Sequence, residues 1–289
     1  MQAMQFGATL QRIIQRLVYC NPSHGPPLLA KIDLADGYYC VPLSADAALG
    51  LAVIISADIP NSNDFLIALH LALPMGWAHS PPYFYAYTDT ITDIANAIDP
   101  SPTPHNLLAA SESTPQPPTH SYHPDAIVLG HPAQPPLAYT DVYIDDFMVV
   151  AQQPLPLPTL NILLHTINSV FQDPVDTPQC QIISQSKLDK GNGAFSVEKR
   201  ILGWDINTAK MALALPPHCL EQLQSLLQEF LHKKRTSIKK WRYLLGICST
   251  MPALYGAKHL FSVLQLAQTT VHTPHKSRPT RLALAHSNH

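Results

Sequence analysis

The chain has 289 residues, 46% hydrophobic and 13% charged, enough for one large or two small domains. No apolar run approaches the roughly 18 to 20 residues of a membrane span, and Met1 to Arg16 lacks the layout of a signal peptide, so neither a membrane nor a secretory route is expected. The default is an intracellular chain, cytoplasmic or nuclear. The formal net charge of −2 hides a division: residues 1–180 carry three basic and fifteen acidic side chains, residues 181–289 fifteen basic and five acidic. An acidic body followed by a basic end suits contact with a polyanion through its second part. Cys20, Cys40, Cys180, Cys219 and Cys248 show no C-x-x-C spacing and read as reduced thiols. His105, His120, His123 and His131 fall in a proline-rich stretch and read as solvated loop residues, not as ligands.

In chain order, Phe6, Leu10, Ile13, Ile14 and Leu17 recur at helical spacing and predict a helix over residues 5–19, stopped by Pro22, Gly25, Pro26 and Pro27. Leu28 to Leu34 reads as a strand, and Ala52 to Ser56 and Phe65 to Leu73 as two more around Pro60-Asn61-Ser62-Asn63. A helix follows from Ser80, with Pro81 and Pro82 in its first turn, to about Ile98. Residues 99–138 are rich in proline, serine, threonine and histidine and read as a disordered or loosely held insert. Tyr139 to Ala151 predicts a hairpin tipped by Asp145 and Asp146, Leu160 to Phe171 a helix, and Phe195 to Ala214 a pair of strands around Asn207-Thr208. Beyond Pro217 the periodicity turns helical through Leu220, Leu223, Leu227 and Phe230, then Ile238, Trp241, Leu245 and Cys248, then Leu260, Leu264 and Ala267.

Asp33 and Asp145-Asp146 stand inside runs that otherwise read as buried strands. A carboxylate there is costly unless a cation or hydrogen bonds receive it. Two like charges about 4 Å apart repel by roughly 4 kcal/mol at an effective dielectric of about 20, so a cluster of them asks for a divalent ion. Strand alternation counted from Tyr143 puts Tyr143 and Asp145 on one face and Asp146 on the other, which gives Asp146 a supporting role, although a hairpin tip relaxes that rule.

The string Lys31-Ile32-Asp33-Leu34-Ala35-Asp36-Gly37-Tyr38-Tyr39, with Val41-Pro42-Leu43, resembles the first catalytic motif of reverse transcriptases of LTR retrotransposons and retroviruses. Leu73-Pro74-Met75-Gly76-Trp77-Ala78-His79-Ser80-Pro81 resembles the family's L-P-x-G-x-x-x-S-P motif, and Tyr143-Ile144-Asp145-Asp146 its Y-x-D-D box. Ser186-Lys187-Leu188 resembles the fourth, lysine-bearing motif, and Ile201-Leu202-Gly203-Trp204 the motif that grips the primer end. The helices bearing Lys239-Lys240-Trp241 and Leu244-Leu245-Gly246 are similar to the passage from palm to thumb. Five motifs in order, over about residues 5–268, carry the resemblance.

The resemblance implies an α+β right-hand polymerase fold, with an antiparallel palm sheet backed by helices, partial fingers and a helical thumb. Residues 1–98 would hold partial fingers and the first half of the palm, 99–138 the insert, and 139–214 the second half of the palm with the catalytic hairpin and primer grip. Residues 215–270 would form the thumb and 271–289 a disordered basic tail. It implies RNA-directed DNA synthesis with two Mg²⁺ ions, replaceable by Mn²⁺, held by Asp33, Asp145 and Asp146, with Asp33 and Asp145 bridging. Lys187 would protonate the departing pyrophosphate. Asp36, Gly37, Tyr38, Met75 and Gly76 would line the nucleotide site, Tyr38 as a gate excluding a ribose 2′-hydroxyl. Gly203 and Trp204 would grip the primer, and Lys233, Lys234, Arg235, Lys239, Lys240 and Arg242 would contact phosphates. The partners would be an RNA or DNA template with primer, deoxynucleoside triphosphates, and polyprotein segments such as ribonuclease H and integrase beyond this chain. Met75 departs from the glutamine common in retroviral relatives. In the first 32 residues Arg12, Arg16 and Lys31 are the basic candidates for holding a triphosphate, and none matches a motif. The chain is thus expected to be a polyprotein fragment or a degenerate copy, the second being an inactive remnant that at most binds nucleic acid. A nuclease or cyclase on a similar palm would explain neither Tyr38 nor Gly203-Trp204.

Overall fold

The computed structural model describes residues 8–56, 65–98, 103–109, 121–171, 182–232 and 237–249. It is an α+β structure with small antiparallel sheets, divided into two compact units, Met1–Leu215 and Pro216–His289. The expected helices through Leu260 and the basic tail lie outside the described residues.

The first unit is built on a three-stranded sheet of order β1-β5-β4, from β1 (Leu28–Asp33), β4 (Ala138–Tyr143) and β5 (Asp146–Ala151). One face carries Ala30, Ile32, Val142, Phe147 and Val149. These pack with Phe84 and Ile91 of α3 (Ser80–Ala97) and Leu160, Leu163, Leu164 and Ile167 of α4 (Pro156–Phe171). On the other face Leu29, Met148 and Val150 meet Ile13 and Leu17 of α1 (Thr9–Val18) together with Ile201 and Ile206. β5, central and covered on both faces, is therefore an almost unbroken apolar run. The free edge of β4 is capped by side chains. Asn96 both donates to the Thr140 carbonyl and accepts from its N–H, each at 2.8 Å, and Thr9 donates to the Val142 carbonyl at 2.9 Å.

Between β1 and α3 lie a 3-10 turn (Gly37–Cys40), α2 (Ala45–Gly50) and a two-stranded ribbon of β2 (Val53–Ser56) and β3 (Phe65–Ala68). Val53, Ile54, Ile55, Leu66 and Ile67 of this ribbon are all exposed. Beyond α4, a four-residue helix α5 (Gln185–Leu188) precedes a second sheet, β6 (Glu198–Ile201), β7 (Trp204–Asn207) and β8 (Ala212–Ala214), in the order β6-β7-β8. Residues 195–214 thus make three strands, not the expected pair. The additional reversal is at Leu202-Gly203, whose φ values of 49° and 81° are the two positive values that a two-residue hairpin loop of this kind needs.

The insert departs most from its expectation. Its described parts are held against the body, because backbone groups of the body and a few polar side chains supply the partners that composition does not reveal. The Leu129 N–H donates to the Val18 carbonyl (2.8 Å), that of His123 to Ala209 (2.7 Å), and Cys20 Sγ lies 3.1 Å from the Tyr122 hydroxyl. Gly130 is required there, since a Cβ would stand 1.7 Å from the Cys20 carbonyl oxygen. His105 is buried, not solvated: its backbone N–H donates to Asn161 (2.7 Å) and its ring lies 2.8 Å from the Asn168 amide.

The second unit contains α6 (Pro217–His232) and α7 (Ile238–Ser249), joined by an edge-on Phe230–Trp241 contact and a Tyr243 hydroxyl bond to Gln222 of 2.7 Å. No helix among the described residues is long and apolar enough to cross a membrane.

Candidate active site

β1 runs antiparallel to β5, which places Asp33 directly opposite Asp146, and the β4–β5 register places Tyr143 opposite Asp146 on the other side. Directly paired residues share a face, so Asp33, Asp146 and Tyr143 form one row across three strands. This corrects the alternation argument. Ile144 and Asp145 form a two-residue hairpin loop, and crossing it returns the chain to the face it left, so Asp146 and not Asp145 stands beside Asp33. Asp145 is exposed at the tip, its carbonyl accepting from the Leu34 N–H at 3.4 Å. Ile144 has φ of 61°, a left-handed conformation unusual for a β-branched residue, and this strain sits in the loop that carries the carboxylates.

Asp33 is buried with both oxygens engaged. Lys187 Nζ donates to Oδ1 at 2.7 Å and Asn192 Nδ2 to Oδ2 at 2.6 Å. Its backbone carbonyl accepts from the Ser184 N–H at 2.9 Å, which ties the segment before α5 to the end of β1. Burial by itself would raise the Asp33 carboxyl, but hydrogen bonds from Asp146, Lys187 and Asn192 outweigh it and hold it down at about 2. Burial and the hydrogen bond with Asp33 push Asp146 up to about 7, against the pull of Lys31, whose Nζ is 3.7 Å away. The two carboxyls therefore titrate as a pair, Asp33 held low and Asp146 pushed high.

Two further cations border the row. Lys187 is raised by its bond to Asp33, so it is a half-exposed ion-pair partner here. Lys199, donating to the carbonyls of Gly191 and Ala194, is lowered to about 8 by burial and by Lys31. Sequence reading missed Asn192 altogether. Gly191, at φ 83°, and the Asn192-Gly193 pair are local signals of a turn there.

The residues after Asp33 form a turn, with Asp36 exposed at φ 50° and Gly37 buried. A Cβ on Gly37 would meet the Phe84 ring at 2.6 Å, so this glycine serves close packing. Tyr38 stacks on Phe84 with centroids 4.6 Å apart, and burial and then the charge of Asp145 raise its phenol. Tyr39 points to solvent. The Leu73–Pro81 loop is brought to the same place. An antiparallel bridge pairs Pro42 with Ala72, the Leu73 N–H donates to the Val41 carbonyl at 3.0 Å, and the Ser80 hydroxyl closes the loop on the Pro74 carbonyl at 2.7 Å. Met75 and Gly76 are exposed at its tip, Gly76 with φ of 93° and open space where a Cβ would be.

Gly203 is exposed at the β6–β7 turn, whereas Trp204 is 2% exposed, so Gly203 and not the indole is available for surface contact. Among the cations of the second unit, Lys239 and Arg242 are exposed, while Lys240 is paired with both oxygens of Glu229 at 2.7 Å. Lys233, Lys234 and Arg235 lie outside the described residues. Of the basic candidates near the N-terminus, Arg12 is committed to Asp141, at 2.8 and 2.6 Å, and Arg16 sits 4.7 Å over the Tyr139 ring.

No three His, Cys, Asp or Glu side chains are grouped as a metal cage among the described residues. The Asp33–Asp146 pair nevertheless fits a hard divalent cation: both donors are carboxylate oxygens, standing side by side on neighbouring strands. A shallow groove of about 220 Å³ lined by Ile94, Ile98, Ile162 and Val170 lies between α3 and α4, which back the opposite face of the sheet. No protein-family model matches the chain, and a search of curated proteins finds no match either.

Proposed function

We propose that the chain is a template-directed nucleotidyltransferase, a reverse-transcriptase palm with partial fingers and thumb that extends a DNA primer on an RNA template. The observation that carries this reading is the Asp33–Asp146 register, which joins two motifs over a hundred residues apart into one carboxylate row. Asp33 and Asp146, with Asp145 at the adjoining turn, would hold Mg²⁺, which when bound lowers the pKa of an attacking hydroxyl and neutralises phosphate charge. Tyr38, stacked on Phe84 and within the field of Asp145, would exclude a ribose 2′-hydroxyl by occupying its space. Lys187 would supply a proton at the leaving pyrophosphate once it leaves Asp33. Gly76 and Met75 would border the nucleotide, and Lys239 and Arg242 would meet phosphates.

The test is primer extension on an RNA template with Mg²⁺ or Mn²⁺. The wild-type chain should extend, Asp33→Asn and Asp145→Asn should not, and Tyr38→Ala should admit ribonucleotides. A folded wild-type chain that extends nothing with either metal overturns the enzymatic reading. A second reading, a remnant that binds nucleic acid without synthesis, is favoured by one observation: Arg12 and Arg16 are committed elsewhere, so neither holds a triphosphate. Binding of a primer-template that weakens with salt, without extension, identifies it.

A further inference from the structure

Besides Asp146, Asp33 has two side-chain partners of different kinds. Lys187 reaches Oδ1 from a four-residue helix, and its side chain is 47% exposed. Asn192 reaches Oδ2 from a position fixed by its own backbone: its N–H donates to the Lys187 carbonyl at 3.1 Å and its carbonyl accepts from the Lys31 N–H at 2.9 Å. The preceding Gly191, with φ of 83° and nothing within 4 Å of where a Cβ would stand, is there for backbone direction and not for space. Asn192 is therefore laid along β1 by the main chain.

We propose that Asn192 is the positioning residue of the metal-binding carboxylate, holding Asp33 Oδ2 in place, while Lys187 is a displaceable counter-ion that an arriving divalent cation replaces on Oδ1. The inference rests on the function proposed above. An uncharged amide does not repel a dication and can keep its bond when the ion arrives. An ammonium on the same carboxylate does repel it, and the long, half-solvated lysine side chain loses little by moving into water. Without Asn192 the carboxylate would be free to rotate about its terminal torsion, so each binding event would have to order it first. The two partners of one carboxylate should thus affect metal affinity with opposite signs, which a merely structural contact would not do.

The experiment measures Mn²⁺ binding to the full chain, by the loss of the free-ion electron paramagnetic resonance signal, with circular dichroism as the folding control. Asn192→Ala should weaken binding by about 10-fold or more, and Lys187→Gln should tighten it severalfold. If Asn192→Ala does not fold, Asn192→Leu keeps the volume, removes the donor, and should show the same loss. Wild-type affinity in the folded Asn192 variants, or a loss in Lys187→Gln as large as theirs, overturns this proposal alone. A folded wild-type chain that takes up no Mn²⁺ overturns the polymerase reading and this proposal with it.

Discussion

Asp33 and Asp141 are both buried aspartates on the same face of one sheet, on the two strands that flank β5, and they are satisfied in opposite ways. Asp141 receives a two-pronged bond from Arg12, a 2.7 Å bond from the Tyr139 hydroxyl and a 2.8 Å bond from the Val142 N–H. Arg12 is raised by its bond to Asp141, and Tyr139, by burial and then by the same carboxylate, is pushed up to about 12. Every partner there is a fixed part of the fold that anchors α1 to β4. Asp33 has one fixed neutral partner, one half-exposed ammonium, and a second carboxyl beside it. A buried carboxylate in a strand is thus not in itself a sign of chemistry. What distinguishes the two is whether the partners can leave.

The largest effect expected from breaking this contrast is at the structural aspartate. Arg12→Met leaves Asp141 buried without its ion pair and should cost about 3 kcal/mol in chemical denaturation. Next is the pH dependence of the metal-free protein. Asp146 in the fold titrates at about 7, above its unfolded value, so its contribution to stability is full below about pH 4 and is lost as pH rises to about 7. Asp33, held at about 2, gives the opposite slope, losing stability only as pH falls below about 4. Thermal melting should therefore decline by a few degrees between about pH 4 and 7, and Asp146→Asn or added Mg²⁺ should flatten the decline. Tyr139→Phe removes one bond to Asp141 and should cost about 1 kcal/mol. Asp33→Asn, measured above about pH 7, should cost less than Arg12→Met, because there it also removes the repulsion from an ionised Asp146. A loss there as large as that of Arg12→Met would erase the distinction between the two aspartates.

Much of the sheet was legible in the sequence. The apolar and β-forming runs around Asp33 and Asp146 marked β1, β4 and β5, and Pro81-Pro82 marked the start of α3. The face of Asp146 was not legible by counting alternation, because a two-residue loop resets the count. Asn192 was hidden for a different reason: its bond to Asp33 spans 159 residues, and no local pattern reports such a contact. The insert misled through composition. Proline and serine lower the apolar area a segment can bury, but residues 121–137 are held by backbone bonds and by two side chains of the body, Asn21 donating to the Pro132 carbonyl and Gln152 accepting from the Leu137 N–H. Trp204 sits at the end of a hairpin turn, and only the register shows that its side chain turns inward.

The missing methyl of Gly37 has a mechanical consequence. Because Phe84 can come that close, the ring of Tyr38 rests on the body of an eighteen-residue helix and not on a loop. The place of the Tyr38 ring is then tied to α3. As the gate proposed above, Tyr38 would discriminate by fixed dimension, and a single added carbon at position 37 would shift that dimension without touching the ring itself.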